Sequence, residues 1–247
     1  MKRKLFSLCL GLLVLSVILT GCQSQQELAF KAVEGKTHSA VTPANRDKPR
    51  HRAFNERVKQ GNVDLIFIGD SITHNWEKAG KEVWAKYYGH RKAVNLGIGG
   101  DRTEHVLWRL DNGNIDGISP KVAVVMIGTN NHPPRNTGEE IADGIIAICK
   151  KLRTRLPETK ILLLGIFPRE PKSCLMRKEL AKASKIASKI ADGKKIYYLD
   201  IGDKFVEPDG SISREIMKDY LHLTPKGYRI WAEAIEPKLA ELIGEKK

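Results

Sequence analysis

The sequence predicts a single three-layer α/β/α domain around a parallel sheet of five strands. Five short apolar runs rich in branched residues recur along the chain, and stretches with helical spacing separate them. Hydrophobicity that is continuous along each run, rather than alternating, suits strands covered on both faces. A further observation agrees: glycines and polar residues stand directly behind the runs, where ligands bind beyond the carboxyl ends of parallel strands.

In chain order the runs are Leu65-Ile66-Phe67-Ile68, Ala93-Val94-Asn95-Leu96, Val122 to Ile127, Ile161 to Ile166 and Ile196 to Leu199. Thr137-Gly138-Glu139-Glu140 is a capping box that opens a helix running to Arg155. Leu175 to Ile190 places its apolar residues at helical spacing. Thr224-Pro225 supplies an N-cap and a first-turn proline for a last helix through Trp231, Ile235 and Leu239 to Leu242. No internal repeat or linker interrupts the chain after residue 50, so residues 46–247 read as one domain. The balance of 41% hydrophobic and 29% charged residues is globular and excludes disordered, collagenous and multi-span membrane classes.

The first residues read as an address. Met1-Lys2-Arg3-Lys4 is a cationic start, followed by fifteen uncharged residues from Leu5 to Leu19. That run is short for a membrane span, which needs about 20 residues, and suits a secretory signal. Leu19-Thr20-Gly21-Cys22 resembles the lipobox of bacterial lipoproteins, in which the cysteine takes the lipid and becomes the new N-terminus. Residues 1–21 are therefore expected as a signal peptide, Cys22 as the lipidation site, and residues 22–45 as a polar, aperiodic tether. The alternative is an uncleaved anchor with an incidental cysteine. Both place the body outside the cytoplasm, tied to a bacterial membrane, and Gln23 leaves an outer-membrane location open.

Loss of that segment would take away Lys2, Arg3 and Lys4 and no acid, lowering the formal charge from +13 to +10. Such a balance suits anionic surfaces. Lys150-Lys151 and Lys182, Lys185 and Lys189 nevertheless fall where outer helix faces are expected, so a solvated coat is the preferred reading. No nucleic-acid module is visible and nucleic acid is not expected as a partner. Cys149 sits in an apolar helical stretch and reads as a small core residue, while Cys174 lies in a loop. Whether the two pair is left open.

Four blocks behind the runs carry chemistry. Ser71, in Gly69-Asp70-Ser71, stands at a strand-to-helix turn where a base could activate its hydroxyl. His222 is the candidate base, and Asp219, three residues upstream, can fold back to fix its tautomer. Gly100 allows a backbone N–H to approach substrate closely, and Asn130 offers a side-chain amide; with the Ser71 N–H these are three donors for an oxyanion. Each has a plainer reading. Ser71 could cap its helix, Asn130 could shape a turn, and Asp200 or Asp203 could rival Asp219. His74, His105 and His132 could line a pocket, but none has a carboxylate three residues upstream and a surface or structural role is preferred. Trp76, Trp84 and Trp108 read as packing, with Trp108 the one candidate pocket wall among them. Asp70 and Asn131 are also read as structural.

Taken together, Gly69-Asp70-Ser71-Ile72-Thr73, Gly100, Gly128-Thr129-Asn130-Asn131 and Asp219-x-x-His222 resemble the SGNH (GDSL) hydrolase family. The runs Asn95 to Asp101, His105 to Leu110, Gly165 to Arg169 and Asp219 to Thr224 are similar to the esterases grouped with platelet-activating-factor acetylhydrolase catalytic subunits. The resemblance covers about residue 50 onward. It implies a flavodoxin-like fold with strand order 2-1-3-4-5, a Ser71–His222–Asp219 triad, and an oxyanion hole of Ser71, Gly100 and Asn130. It further implies a small acyl pocket closed by Ile72, Thr129 and Leu221, no metal or organic cofactor, and pairing as a homodimer. The expected activity is hydrolysis of a small-acyl ester, with O-acetylated carbohydrate favoured and a lysophospholipid-like ester second. Two other classes were weighed: a non-catalytic envelope-binding lipoprotein and a flavodoxin-like nucleotide binder. The latter lacks both the Gly-x-Gly-x-x-Gly spacing and a Walker lysine.

Overall fold

Every apolar run becomes a strand of four or five residues, packed on both faces. The computed structural model describes residues 24–132 and 134–245; residues 1–21 and Cys22 lie outside them. Helix α1 (Gln25–Ala32) and helix α2 (Pro49–Lys59) precede β1 (Leu65–Gly69). Then come α3 (Ser71–His74), α4 (Lys81–Tyr88), β2 (Ala93–Gly97), α5 (Thr103–Asp111) and β3 (Val122–Met126). The chain continues through α6 (Gly138–Arg155), β4 (Lys160–Leu164), α7 (Leu175–Ala187), β5 (Ile196–Leu199) and α8 (Pro225–Ile243). The strands form one parallel sheet in the order β2-β1-β3-β4-β5.

Alternation along β1 explains the two layers. Ile66 and Ile68 point into a core shared with Phe54 and Val58 of α2, Val106 and Leu110 of α5, Ile145 and Cys149 of α6, and Leu180 of α7. Leu65 and Phe67 point the other way, into a core with Trp76, Val83, Tyr88 and the α8 residues Tyr228, Trp231 and Ile235. Phe67 and Trp76 anchor an aromatic cluster in this second layer, with ring centroids 6.2 Å apart and Trp231 4.9 Å from Trp76. Trp76 and Trp84 are therefore packing residues, as read from the sequence.

The order of strands puts the reversal of winding between β1 and β3, so the loops after β1, β2 and β3 meet at one edge. Glycine makes that meeting possible. A Cβ on Gly97 would come 2.4 Å from the backbone nitrogen of His74, so α3 can rest directly on the end of β2 only because position 97 has no side chain.

The segment expected as an aperiodic tether differs from that expectation over residues 24–45. Ser24 accepts from Glu27 N–H, and Glu27 reciprocates at the Ser24 N–H, a capping box that opens α1. Gln26 Nε2 donates to Ile190 O (2.8 Å), and Thr103 Oγ1 donates to the carbonyl of the fully buried Ala40 (2.8 Å). Lys36 and His38 both reach Asp143 Oδ2, at 2.6 and 3.1 Å. Polar composition hid this because only a few apolar residues of the segment, Ala29, Phe30 and Val33, reach the core, and hydrogen bonds to remote residues supply the other attachments.

Cys149 is buried and Cys174 stands at the start of α7; both are free thiols. Among the described residues no helix is long and apolar enough to cross a membrane.

A chain beginning at residue 45 should fold but lose the bonds to Thr103 and Asp143. Leaving these groups without partners is worth about 2 kcal/mol, so calorimetry should show a Tm lower by roughly 4–8 °C for a domain of this size.

Candidate active site

The loop after β1 is built to hold Ser71 in one place. Asp70 is the N-cap of α3, and its Oδ1 accepts the Ile72 N–H at 2.9 Å. The Ile72 carbonyl accepts the Tyr228 hydroxyl at 2.6 Å, and the Thr73 carbonyl accepts Asn95 Nδ2 at 3.0 Å. Side chains from β2 and α8 thus clamp both sides of the turn. Ser71 N–H, in the first turn, has no intrahelical acceptor.

From the far end of the chain, the loop before α8 returns to the same edge. His222 Nε2 lies 2.9 Å from Ser71 Oγ, and His222 Nδ1 lies 2.7 Å from Asp219 Oδ2. The other carboxylate oxygen, Oδ1, accepts the His222 N–H (2.7 Å) and the Leu221 N–H (3.2 Å). Burial would raise the Asp219 pKa, but the bonds from His222 outweigh it and hold the carboxyl below its ordinary value. An ionised Asp219 accepts a hydrogen bond from Nδ1–H, which fixes the tautomer that leaves Nε2 free to accept from the serine.

The loop is held at Tyr220, which adopts a positive φ of 60° and accepts Glu170 N–H at its carbonyl (2.9 Å). Glu170 also has a positive φ, 70°. Arg177 of α7 secures this pair: its guanidinium donates to the carbonyls of Arg169 (2.8 Å), Glu170 and Gly210 (2.7 Å).

The third and fourth groups arrive from β2 and β3. Gly100 has φ +77°, a conformation suited to glycine, and its N–H has no acceptor among the described residues. Asn130 Nδ2 donates to Asp101 O at 2.9 Å, which fixes the amide and leaves its second hydrogen for a ligand. Asp101 itself is fully buried and accepts from Arg46 Nε (2.6 Å) and Arg109 Nε (2.8 Å). Arg46 also donates to Gly99 O at 2.7 Å.

Of the residues expected to line an acyl pocket, Ile72 is buried and Leu221 packs against the same apolar cluster. Thr129 is fully buried, its carbonyl 3.3 Å and its hydroxyl 3.4 Å from Arg169 Nη1. Asn131 is structural: it accepts Thr103 N–H and donates to Thr103 Oγ1 and Glu104 Oε2. Asp200 is engaged by Tyr198 and its own turn, and Trp108 tilts over His51, away from the triad residues. Arg46, Asn95, Arg177 and Tyr228 were not singled out by sequence reasoning. Arg169 carried a signal, since it follows the fourth strand, but the others act through bonds to residues far away in the chain.

The model of the GDSL-like Lipase/Acylhydrolase family matches residues 67–230. The chain is 40% identical over 200 residues to platelet-activating factor acetylhydrolase IB subunit alpha2 of Homo sapiens, covering 79% of this chain and 84% of that one. Among solved structures, a carbohydrate acetylesterase from Sinorhizobium meliloti aligns with TM-score 0.58 and 18% identity over 73% of this chain and 100% of its own. A catalytic mutant of an acetylxylan esterase from Geobacillus stearothermophilus aligns with TM-score 0.55 and 19% identity, over 75% and 96%. The two structural likenesses show the shared fold. The protein is a carboxylic ester hydrolase. It belongs to the GDSL-like lipase/acylhydrolase family.

The Asp70 carboxyl is wholly buried, its Oδ2 has no partner, and desolvation raises its pKa to about 7 against the bonds from backbone N–H groups. The folded state therefore binds a proton that the unfolded chain releases near pH 4, so this group's contribution to stability falls as pH rises from about 4 to about 7. Asp70→Asn should remove that slope, measured as the difference in urea midpoint from wild type across the same range. Tyr228→Phe should cost about 1 kcal/mol of stability and lower kcat several-fold by loosening Ser71.

Proposed function

We propose that the protein removes small acyl groups, acetyl above all, from an oxygen ester through an acyl-Ser71 intermediate. The observation that carries the reading is the unbroken line from Asp219 through His222 to Ser71, with bonds of 2.7 and 2.9 Å. Ser71 Oγ attacks the ester carbonyl carbon as its proton passes to His222 Nε2. The negative charge that develops on the carbonyl oxygen is met by the N–H groups of Ser71 and Gly100 and by Asn130 Nδ2. The tetrahedral intermediate then collapses: the C–O bond to the alcohol breaks, His222 returns the proton to the departing oxygen, and the acyl group stays on Ser71. Water, deprotonated by the same imidazole, attacks the acyl-enzyme and releases the carboxylic acid. Asp219 holds the imidazole and stabilises its charged form throughout.

Ile72, Thr129 and Leu221 bound the acyl side, and their bulk restricts it to short chains. The acetyl-directed names of the relatives and neighbours support an acetyl group, and the carbohydrate esterases among them support an O-acetylated saccharide as substrate. The start of the chain supports an extracytoplasmic enzyme carried on a bacterial membrane by a lipid at Cys22. Cys22→Ser should then move the protein from the membrane fraction to the soluble fraction, and mass spectrometry of the wild type should find the lipid on that cysteine.

The activity test is hydrolysis of p-nitrophenyl acetate, butyrate and octanoate. Turnover should fall steeply after acetate; a rise with chain length would replace the acetylesterase reading with a lipid esterase. Ser71→Ala and His222→Ala should each lower kcat by about 10⁶, Asp219→Asn by about 10⁴, and Asn130→Ala by about 10²–10³. Undiminished activity in Ser71→Ala would end the proposal.

A further inference from the structure

A groove of about 550 Å³ opens beside two of the three oxyanion donors, lined by Gly100, Arg102, Asn130, His132, Pro134 and Arg135. Gly100 and Asn130 belong both to its lining and to the oxyanion donors, so a group in it stands beside the carbonyl oxygen. With the acyl group assigned to Ile72, Thr129 and Leu221, the groove falls to the alcohol part of the ester.

Its lining is one-sided. Among the described residues, two guanidinium groups face it and no carboxylate does, and Pro134 is the one apolar side chain. The acids nearest in sequence are already used. Glu104, with a side chain 3% exposed, is held by Arg102 Nε and by Asn131 Nδ2 at 3.0 Å. Asp101 is closed off by Arg46 and Arg109.

The arginines differ in how they are held. Arg102 is oriented through Nε on Glu104, and its Nη2 lies 3.2 Å from His105 Nε2, leaving Nη1 without a bond among the described residues. The Arg135 side chain has no hydrogen-bond or ion-pair partner among the described residues and is exposed. Arg46 adds to the positive field, its Nη2 lying 3.5 Å from where a Cβ on Gly100 would stand. The neighbouring imidazole registers the field: burial first, and then Arg102 and Arg46, push His105 down to about 4, against the opposing pull of Asp101 and Glu104.

We propose that this groove is a subsite for a negatively charged alcohol moiety, so that the substrate is an acetyl ester of an acidic saccharide whose carboxylate is bound by Arg102 and Arg135. The unengaged guanidinium fork of Arg135 matches a planar carboxylate in charge and geometry, and Arg102 adds one donor, Nη1. A saccharide suits the groove better than a lipid, because the described lining is chiefly polar and cationic and offers a bound chain one proline only. The inference rests on the esterase reading above and adds to it the charge of the leaving group.

The test compares kcat/KM on O-acetylated oligogalacturonides with that on O-acetylated xylo-oligosaccharides, using the full-length protein. An acetylated glycerophospholipid and neutral phenyl acetate serve as further arms. The wild type should favour the galacturonides over the neutral oligosaccharides by about tenfold at low salt, a preference that shrinks as salt rises. Arg135→Gln, at an exposed position, should lower that ratio about threefold, and Arg135→Glu should bring it to one or below. Equal turnover of acidic and neutral saccharides by the wild type overturns the subsite. So does an acidic preference that survives both Arg135 variants, or faster turnover of the phospholipid than of any saccharide. Serine-dependent hydrolysis of phenyl acetate alongside any of those results leaves the esterase reading standing. Loss of turnover on all four esters removes the esterase reading, and this subsite with it.

Discussion

The carboxylate of Asp101 is the group on which the site's geometry depends. It is fully buried, so its charge must be met inside the protein, and Arg46 and Arg109 meet it from opposite directions. Through Arg46 it ties the segment before α2 to the Gly99 carbonyl, and through its own carbonyl it orients Asn130. One residue thus joins the N-terminal segment, the loop after β2 and the loop after β3. Removing one partner from a buried pair of this kind typically costs about 3–5 kcal/mol. Here it would also release the backbone that positions Gly100.

The nucleophile turn is stiff for a related reason. Each backbone group around Ile72 and Thr73 that α3 is too short to satisfy finds a side chain instead: Asp70, Tyr228 or Asn95. A helix of four residues has little stability of its own, so its position comes from these bonds and from the absence of side chains at Gly69 and Gly97. The acid end is built differently. The Asp219 side chain is 48% exposed, and its loop is held by the Glu170–Tyr220 bond. The nucleophile turn is therefore pinned by buried bonds, whereas the acid end is open to solvent.

The charge excess acquires a location from the fold. Lys182, Lys185 and Lys189 lie on the exposed face behind α7, as a solvated coat would. Arg46, Arg102 and Arg135, by contrast, gather around the loop that carries Gly100. Counting cations along the chain does not separate these groups, because one set is spaced along a helix and the other is assembled from three loops.

The strands were legible in the sequence because a strand covered on both faces must be apolar throughout, and the longer helices because caps and spacing are local. The blocks holding Ser71, Gly100, Asn130, Asp219 and His222 were legible as motifs, each within a few residues. Helix α1 was missed because its apolar residues are few, Ala29 and Phe30 packing on a core built from distant parts of the chain, although Ser24 and Glu27 carried its capping signal. The tertiary structure alone decided that His222 meets Ser71 across 151 positions, that Tyr228 and Asn95 clamp the nucleophile turn, and that Arg102 and Arg135 share one groove. Those facts are distances between residues remote in the chain. A local pattern of side chains encodes the element each residue belongs to, while the packing of the sheet and its loops sets how far apart two such residues come to rest.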